Sequence, residues 1–323
     1  MEKILVTGGA GFIGRCLIKR LLDTTDAFVY NIDKLSYASQ ANELINHPKA
    51  RGRYQLLPYN LVNEETIDEW IVSIQPSKIF HLAAESHVDN SIRSPKEFIY
   101  SNVLGTYNLL ESCRLGIQDK FKFLHVSTDE VFGSLHPDDT ETYFIETTPY
   151  NPRSPYSASK AASDHLVMAW YNTYKFPAVI TNCSNNYGPG QHPEKLIPMT
   201  ITNALSGNPI TVHGEGKNIR DWLHVEDHVD ALLLVMEKGL LGQQYCIGGE
   251  GERTNIEVVN TICNILDELK PEGAPYSRLI THVTDRSGND LKYAINPQKI
   301  RELGWKANYT FEEGLKELIR GYL

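Results

Sequence analysis

The sequence predicts an α/β fold in which a doubly wound parallel sheet is followed by a smaller, mixed α/β lobe. Over the first half of the chain, short β-branched runs alternate with longer helical patterns, the order that builds a parallel sheet with helices on both faces. Beyond Asn185 this alternation stops, and glycine and proline separate shorter segments. We therefore expect one domain at residues 1–183 and a second lobe at 184–323, with roughly 220–250 returning to the first domain.

The predicted strands are short runs rich in Val, Ile, Leu, Phe and Tyr, whereas the helices carry apolar residues at helical spacing. The strands are expected at residues 4–7, 28–32, 54–58, 78–82, 121–127 and 178–183. The helices between them are expected at 12–22, 64–74, 95–115 and 156–174, and later helices at 226–238, 255–269 and 311–319.

Composition and charge exclude several functional classes. The 323 residues include 31 Lys or Arg and 40 Asp or Glu, a net charge of −9 with no basic block, so no nucleic-acid-binding surface is expected. The N-terminus runs directly into a strand-like segment and the apolar runs are short, so neither a signal peptide nor a membrane span is expected. Five scattered cysteines indicate a reduced, cytoplasmic protein. His224 and His228 have the spacing of zinc ligands on a helix, but no third ligand follows suitably, so no metal is expected.

A glycine-rich turn follows the first predicted strand and begins the first helix. Gly8, Gly11 and Gly14 permit a tight turn, close approach of the backbone to a pyrophosphate, and close packing of the helix on the sheet. Asp33 ends the second predicted strand, where an acid binds the adenosine ribose of a dinucleotide. Because a carboxylate repels a 2′-phosphate, Asp33 favours NAD over NADP, although the adjacent Lys34 weakens that preference. The alternative is a glycine-rich turn that binds no ligand.

Tyr156 and Lys160 form a second candidate site. Their spacing places both on one face of the predicted helix that follows Pro155. An ammonium near a phenol favours the phenolate, so Lys160 is expected to lower the pKa of Tyr156 and make it a base for a sugar hydroxyl during hydride transfer. Together with the glycine turn, the pair indicates a Rossmann-type domain that transfers hydride.

These two motifs resemble those of the extended short-chain dehydrogenase/reductase superfamily. More narrowly, Ser127-Thr128-Asp129-Glu130-Val131-Phe132-Gly133 resembles the matching segment of the nucleotide-sugar 4,6-dehydratases. The similarity covers nearly the whole chain and includes residues 33–35, 81–89, 184–189, 193–198, 220–222 and 285–286. Asp129 and Glu130, the acid pair of this segment, separate this family from simple 4-epimerases, which generally lack such a pair. The alternative is that the pair only caps the loop after the strand.

The resemblance implies that an NDP-hexose of the dTDP- or UDP-glucose type is converted, with NAD+, to an NDP-4-keto-6-deoxyhexose and water. It assigns the C4 hydroxyl proton to Tyr156, with Lys160 beside it, and a hydrogen bond with that oxygen to Thr128. It assigns the C5 proton to Glu130 and protonation of the departing C6 hydroxyl to Asp129. Because hydride leaves C4 and returns to C6, this is a lyase reaction without net oxidation.

The resemblance also implies binding residues and a homodimer. The cofactor residues are Gly8, Gly11, Phe12, Ile13, Gly14, Asp33, Lys34, Asn60, Leu61, Ala83, Tyr156 and Lys160. The substrate residues are Ser86, Thr128, Asn185, Lys195, Leu196, His213, Arg220, Asn255, Arg286 and Asn289. Of these, Arg220 and Arg286 are expected to bind the diphosphate. The helices predicted at 95–115 and 156–174 are the ones that pair between subunits in this superfamily.

The chain departs from the family pattern at positions around the nucleotides. His213 stands where an aromatic residue, often Tyr, packs on the base, and Asn289 replaces a His. The further departures are Arg15, Asn60, Asn90 and residues 190–192. Because the catalytic positions match, these changes leave open the base (dTDP, UDP, CDP or GDP) and the hexose. An NDP-sugar epimerase, a 5,6-dehydratase and a non-catalytic protein that binds NAD and a nucleotide sugar are the alternative functions.

Overall fold

The structure is a computed structural model, and it describes residues 1–285 and 290–323. Its strands are β1 (Lys3–Thr7), β2 (Phe28–Ile32), β3 (Tyr54–Leu57), β4 (Lys78–His81), β5 (Lys122–Thr128), β6 (Ala178–Cys183), β7 (Asn185–Tyr187), β8 (Ile210–His213), β9 (Ile219–Arg220), β10 (Trp222–His224), β11 (Gln244–Ile247), β12 (Arg253–Thr254) and β13 (Ile280–Val283). Its α-helices are α1 (Phe12–Thr24), α2 (Asn42–Ile45), α3 (Glu64–Ile74), α4 (Val88–Arg93), α5 (Pro95–Phe98), α6 (Gly105–Gly116), α7 (Pro155–Tyr174), α8 (Leu196–Ser206), α9 (Val225–Lys238), α10 (Asn255–Leu269), α11 (Gln298–Glu302) and α12 (Phe311–Arg320).

Seven of these strands form one parallel sheet in the order β11-β6-β5-β4-β1-β2-β3. β1 lies between β2 and β4, where Thr7 is paired with Ile32 on one side and His81 on the other. The strand order reverses at β1, and in open α/β sheets a ligand crevice forms at such a reversal, outside the carboxyl ends of the strands. The topology confirms the predicted α/β, Rossmann-type class.

Both faces of the large sheet are buried. Along β1, Ile4 and Val6 belong to an apolar core shared with α1 and α9, whereas Leu5 belongs to a core shared with α3 and α6. Successive side chains of a strand point to opposite faces, so helices on both sides require apolar residues at consecutive positions. This explains why the strands of the first half are continuous apolar runs.

The smaller lobe combines short strand pairs with helices. β7 pairs with β10 and β8 with β13 in parallel, whereas β9 pairs with β12 in antiparallel orientation. α8, α10 and α12 bury one apolar core against β8. β11, in contrast, extends the large sheet beside β6, so the chain after residue 184 contributes to both parts of the molecule. Over the described residues, no helix is both long and apolar enough to span a membrane.

One predicted helix differs from the structure. The periodicity predicts a single helix over 95–115, but the structure divides this stretch into α5, a π-helical segment (Ile99–Leu104) and α6. Asn102 lies in the π-helical segment and is buried. It accepts a hydrogen bond from Glu85 N (2.8 Å) and donates to Glu85 O (3.0 Å) and to Ser159 Oγ (2.8 Å). These contacts attach the loop after β4 to α7 and accompany the wider helical turn.

Candidate active site

A cavity of about 520 Å³ opens at the carboxyl ends of the central strands, between the large sheet and the smaller lobe. The predicted residues in its wall are Gly8, Gly11, Phe12, Ile13, Gly14, Asp33, Lys34, Asn60, Leu61, Ala83, Ser86, Thr128, Glu130, Tyr156, Lys160, Asn185, Lys195, Leu196, His213, Arg220 and Asn255. Among the predicted residues that the structure describes, Asp129 alone does not line the cavity. Arg286 and Asn289 lie outside the described residues.

The glycine turn has a backbone that side chains would obstruct. Gly8 has a φ of +71°, and a Cβ there would lie 2.7 Å from the backbone N and Cα of Ala83. A Cβ on Gly14 would lie 2.4 Å from the Gly8 carbonyl oxygen, so α1 packs directly on the turn. The turn thus offers exposed backbone next to a helix N-terminus, which fits the pyrophosphate of a dinucleotide.

Asp33 follows β2 and is held by the two loops around it. Its Oδ2 accepts a hydrogen bond from Ala10 N (2.9 Å), and its Oδ1 accepts from Leu35 N (2.8 Å) and Ser39 Oγ (3.1 Å). A carboxylate oxygen has two lone pairs, so Oδ2 can accept a second bond from a ribose hydroxyl. Lys34 points to other partners, since its ammonium pairs with Glu85. The described residues therefore fit NAD.

α7 presents Tyr156 and Lys160 to the cavity. The helix begins at Pro155 with a capping box between Ser154 and Ser157, which fixes the start of the helix. Lys160 Nζ donates to the Val126 carbonyl oxygen at 2.9 Å and lies 3.3 Å from His125 Nε2. Both side chains are buried, so α7 holds them at fixed positions beneath the cavity.

The pKa of Tyr156 is raised overall, so the lowering expected from Lys160 does not prevail. Burial is the largest influence and raises that pKa well above its usual 10, and the charge of Glu130 raises it further, while a hydrogen bond with Thr128 works in the opposite direction. The physical reason is that a buried phenolate is poorly solvated and stands beside a carboxylate.

The acid pair follows β5. Thr128 caps the 3₁₀ turn Asp129–Phe132 by accepting a hydrogen bond from Glu130 N (3.3 Å), which directs Glu130 toward the cavity. Asp129 is 1% exposed, and its Oδ1 accepts from Thr128 Oγ1 (3.3 Å), whereas its Oδ2 has no hydrogen-bond partner among the described residues. Burial, with the charges of Glu130 and Asp221, raises the pKa of Asp129 well above 3.8. The two acids thus have different environments, since Glu130 faces the cavity and Asp129 is buried with a raised pKa.

The smaller lobe contributes Arg220 and a residue that was not predicted, Tyr293. Arg220 is buried and donates from Nη2 to the Asp290 carbonyl oxygen at 2.9 Å. Its guanidinium carbon lies 4.3 Å from the centre of the Tyr293 ring, and the Tyr293 hydroxyl donates to Asp290 Oδ2. Tyr293 lines the cavity and feels the charge of Glu130. No motif marks Tyr293 in the sequence, since its position depends on the fold of the segment that carries it.

Several departures from the family pattern lie together at the rim of the site. Arg15 Nη2 donates to the Gly190 carbonyl oxygen at 2.9 Å, and a Cβ on Gly190 would lie 1.8 Å from that nitrogen, so the arginine needs a glycine there. Tyr37 donates to Glu194 Oε1 at 2.9 Å, and Asn90 Nδ2 donates to the Tyr37 hydroxyl at 3.1 Å. The loop after β2 is thereby joined to the segment that precedes Lys195.

The two histidines with zinc-like spacing have structural roles. His224 Nδ1 accepts from Glu226 N (3.4 Å) and caps α9, and His228 Nδ1 lies 2.9 Å from Asn186 Oδ1. Within residues 1–285 and 290–323, no group of three or more His, Cys, Asp or Glu side chains could hold a metal ion.

Comparisons with known proteins agree with this geometry. Residues 5–318 match the family model described as GDP-mannose 4,6 dehydratase. A dTDP-glucose 4,6-dehydratase of Neisseria gonorrhoeae is 49% identical over 334 residues, covering 100% of this chain and 96% of that protein.

Two crystal structures are similar over their whole length. DesIV, a dTDP-glucose 4,6-dehydratase from Streptomyces venezuelae with NAD and TYD bound, is 39% identical with a TM-score of 0.90, covering 99% of this chain and 96% of that one. The dTDP-glucose 4,6-dehydratase of Bacillus anthracis str. Ames, in complex with NAD, is 41% identical with a TM-score of 0.86, covering 100% and 96%. The chain therefore belongs to the GDP-mannose 4,6-dehydratase family, within the short-chain dehydrogenase/reductase fold.

Proposed function

We propose that this protein is an NAD+-dependent nucleotide-sugar 4,6-dehydratase that converts an NDP-hexose into an NDP-4-keto-6-deoxyhexose and water. The observation that carries the proposal is that one cavity holds the glycine turn, the Tyr156–Lys160 pair and Glu130, with Asp129 buried next to Glu130. Dehydration of a sugar through a transient ketone requires a base, an acid pair and a dinucleotide side by side. The names of the full-length relatives support the same activity.

Each catalytic side chain has a distinct task. NAD, which the glycine turn and Asp33 would hold, would supply a hydride acceptor for C4 and then a hydride donor for C6. Tyr156, as the phenolate, accepts the proton of the C4 hydroxyl, and Thr128 hydrogen-bonds the same oxygen. Glu130 removes the proton from C5, which the 4-ketone makes acidic, and returns it to C5 when hydride arrives at C6. Asp129, which burial keeps protonated, gives its proton to the C6 hydroxyl, and this leaves as water.

The proton balance gives Thr128 a second task. After one turnover Tyr156 carries one additional proton and Asp129 lacks one, so a proton has to pass between them before the next. The Thr128 hydroxyl contacts both groups, and we assign the transfer of this proton to it. Asp129 does not line the cavity, so its carboxyl has to rotate toward the sugar when it donates.

The substrate we propose is dTDP- or UDP-glucose. Arg220 and Lys195 provide positive charge for the diphosphate, and Asn185 and Asn255 provide amide hydrogen bonds in the same wall. Ser86, Leu196 and His213 line the same cavity. We assign Ser86 to the hexose and His213 to the base. Arg286 and Asn289 stay predictions from the sequence.

The direct test is turnover of NDP-glucoses by the purified protein. We expect a product that has lost one water and carries a ketone at C4, with no consumption of added NAD+. Glu130→Gln should lower kcat by about 10²- to 10⁴-fold, the usual effect of losing a general base. Intact NDP-hexoses throughout the panel would refute the proposal. A product of unchanged mass would identify an epimerase, and a ketone or alkene elsewhere a 5,6-dehydratase.

We further propose a cytoplasmic homodimer with a boundary between domains near residue 183. All five cysteines are free, as is usual in a reducing compartment. The surface formed by the π-helical segment and α6 exposes Ile99, Tyr100 and Tyr107. Clustered apolar side chains on one helical face favour association with a second copy of the chain.

A further inference from the structure

A third residue lies on the face of α7 that carries Tyr156 and Lys160. Asp164 follows Lys160 by one helical turn, as Lys160 follows Tyr156, so the three side chains form one row along the helix. Asp164 is 1% exposed, and burying a carboxylate is costly unless a cation or several hydrogen bonds compensate for the lost water. The row therefore brings a buried anion close to the buried ammonium of Lys160.

His125 connects the two charges through one atom. Its Nε2 lies 3.3 Å from Lys160 Nζ and 3.1 Å from Asp164 Oδ1. The imidazole is fully buried, and burial lowers its pKa to about 4, so the ring is neutral at pH 7 and carries one proton. With that proton on Nδ1, Nε2 accepts from Lys160, while Asp164 Oδ1 lies close to the ring without receiving a hydrogen bond from any described residue, so its contact with the ring is electrostatic.

The other oxygen of Asp164 has its own donors. Oδ2 accepts from the Tyr150 hydroxyl at 2.7 Å, from Ser127 Oγ at 2.8 Å and from Asn182 Nδ2 at 3.3 Å. Burial raises the pKa of Asp164, but the contact with His125, the charge of Lys160 and the Tyr150 hydroxyl outweigh it and lower that pKa overall, so the group is a carboxylate at pH 7. Oδ2 is thus tied to the scaffold, while Oδ1 faces His125 and Lys160.

We propose that Asp164, acting through His125, is a positioning residue that keeps Lys160 charged and in place beside Tyr156. This inference rests on the proposed function for its role in turnover. Lys160 faces His125, Asp164, His81 and the Cys183 thiol. Tyr156 faces Glu130, Asp129, Thr128 and the same thiol. The charge of Asp164 raises the pKa of Lys160, whereas the charges of Glu130 and Asp129 raise the pKa of Tyr156.

The test compares Asp164→Asn with Tyr150→Phe. The first removes the charge and keeps the shape, while the second removes one donor to Oδ2 and leaves the contacts of Oδ1 with His125 intact. Without its counter-ion Lys160 loses its proton more readily, and Tyr156 then becomes harder to ionise. For Asp164→Asn we expect kcat at pH 7 to fall about tenfold with little change in KM, and the acidic limb of the kcat profile to move up by about one pH unit.

A second measurement makes the result independent of sugar turnover. Tyrosinate absorbance of the NAD-loaded protein, taken as the difference between each protein and its Tyr156→Phe counterpart, follows the ionisation of Tyr156. Its midpoint should rise in Asp164→Asn and stay unchanged in Tyr150→Phe. Equal midpoints in wild type and Asp164→Asn would overturn the inference. If Asp164→Asn does not fold, Asp164→Glu and His125→Gln replace it, and an unchanged midpoint in both would be equally decisive. A wild type that dehydrates no NDP-hexose would refute only the proposed function.

Discussion

At the residue scale, backbone conformation and not side-chain chemistry defines the dinucleotide turn. Gly8 and Gly52 have nearly the same left-handed φ, +71° and +72°, but a Cβ on Gly8 would meet the Ala83 backbone at 2.7 Å, whereas one on Gly52 would meet nothing within 4 Å. In both places Ala costs about 1 kcal/mol or more of backbone strain. Only at Gly8 would the added Cβ also displace the loop after β4, which lines the cavity.

Gly8→Ala is therefore expected to weaken NAD binding by at least about tenfold, the equivalent of about 1.4 kcal/mol. Gly52→Ala should lower the melting temperature and leave the NAD affinity unchanged. Calorimetric titration with NAD, alongside thermal unfolding of both variants, measures the two effects separately. Equal losses of NAD affinity in the two variants would contradict a role for the approach of Gly8 to Ala83.

Asp129 gives a second prediction at this scale, in which stability depends on pH. Burial raises its folded pKa above the unfolded value, and Glu130 and Asp221 raise it further. A group of this kind stabilises the fold fully below its unfolded pKa of about 4, and that contribution is lost as pH rises through the folded pKa. Asn has the same shape and never ionises.

Asp129→Asn should therefore gain melting temperature relative to wild type as pH rises from 5 to 8, while turnover is lost. Thermal unfolding across that range measures the difference. Asp119→Asn serves as the control, because the Asp119 side chain is exposed to solvent and its replacement should give a difference independent of pH. A constant difference for Asp129→Asn would mean that Asp129 is ionised in the folded protein.

At the scale of elements, local patterns predict the strands and helices of the first half well and their interruptions poorly. Alternation of β-branched runs with helical periods depends on residues near in sequence, so β1 to β6 and α7 lie within a few residues of the predicted positions. The π-helical segment depends on Asn102 meeting Glu85 and Ser159, which are distant in sequence. The burial of Asp129 similarly depends on elements that only the fold brings to it.

Asn102→Ala tests whether the π-helical segment supports the site. The substitution removes the hydrogen-bond partners of Glu85 N and Glu85 O, which are partly buried. Each unsatisfied group lowers the free energy of unfolding by up to about 3 kcal/mol. We expect a lower free energy of unfolding and a higher KM for the sugar nucleotide, because Ser86 in the same loop lines the cavity. Urea unfolding and steady-state kinetics measure the two effects, and loss of stability with an unchanged KM would separate the segment from the substrate.

At the scale of the whole molecule, the site forms because residues of the large-sheet part and of the smaller lobe line one cavity. The large sheet and the helices packed on it supply the cofactor turn and α7. The acid pair follows the end of β5, and the smaller lobe supplies Arg220 and Asn255. The identity of the nucleotide base is the feature that the sequence predicts least. It depends on how residues such as His213, which is exposed and lies with Nδ1 3.2 Å from the Thr284 carbonyl oxygen, meet the ligand.

The proposed dimer gives the prediction that belongs to this scale. Ile99 is 54% exposed in the π-helical segment that also exposes Tyr100, whereas Leu240 is 67% exposed in the loop before β11, a different element. A charge buried between two subunits without a partner costs several kcal/mol, whereas a charge in water costs little. Ile99→Asp should therefore give a monomer and Leu240→Asp a dimer, as judged by sedimentation equilibrium of NAD-loaded protein at micromolar concentration. If Ile99→Asp sediments with the same mass as wild type, the subunits do not associate through this helical face.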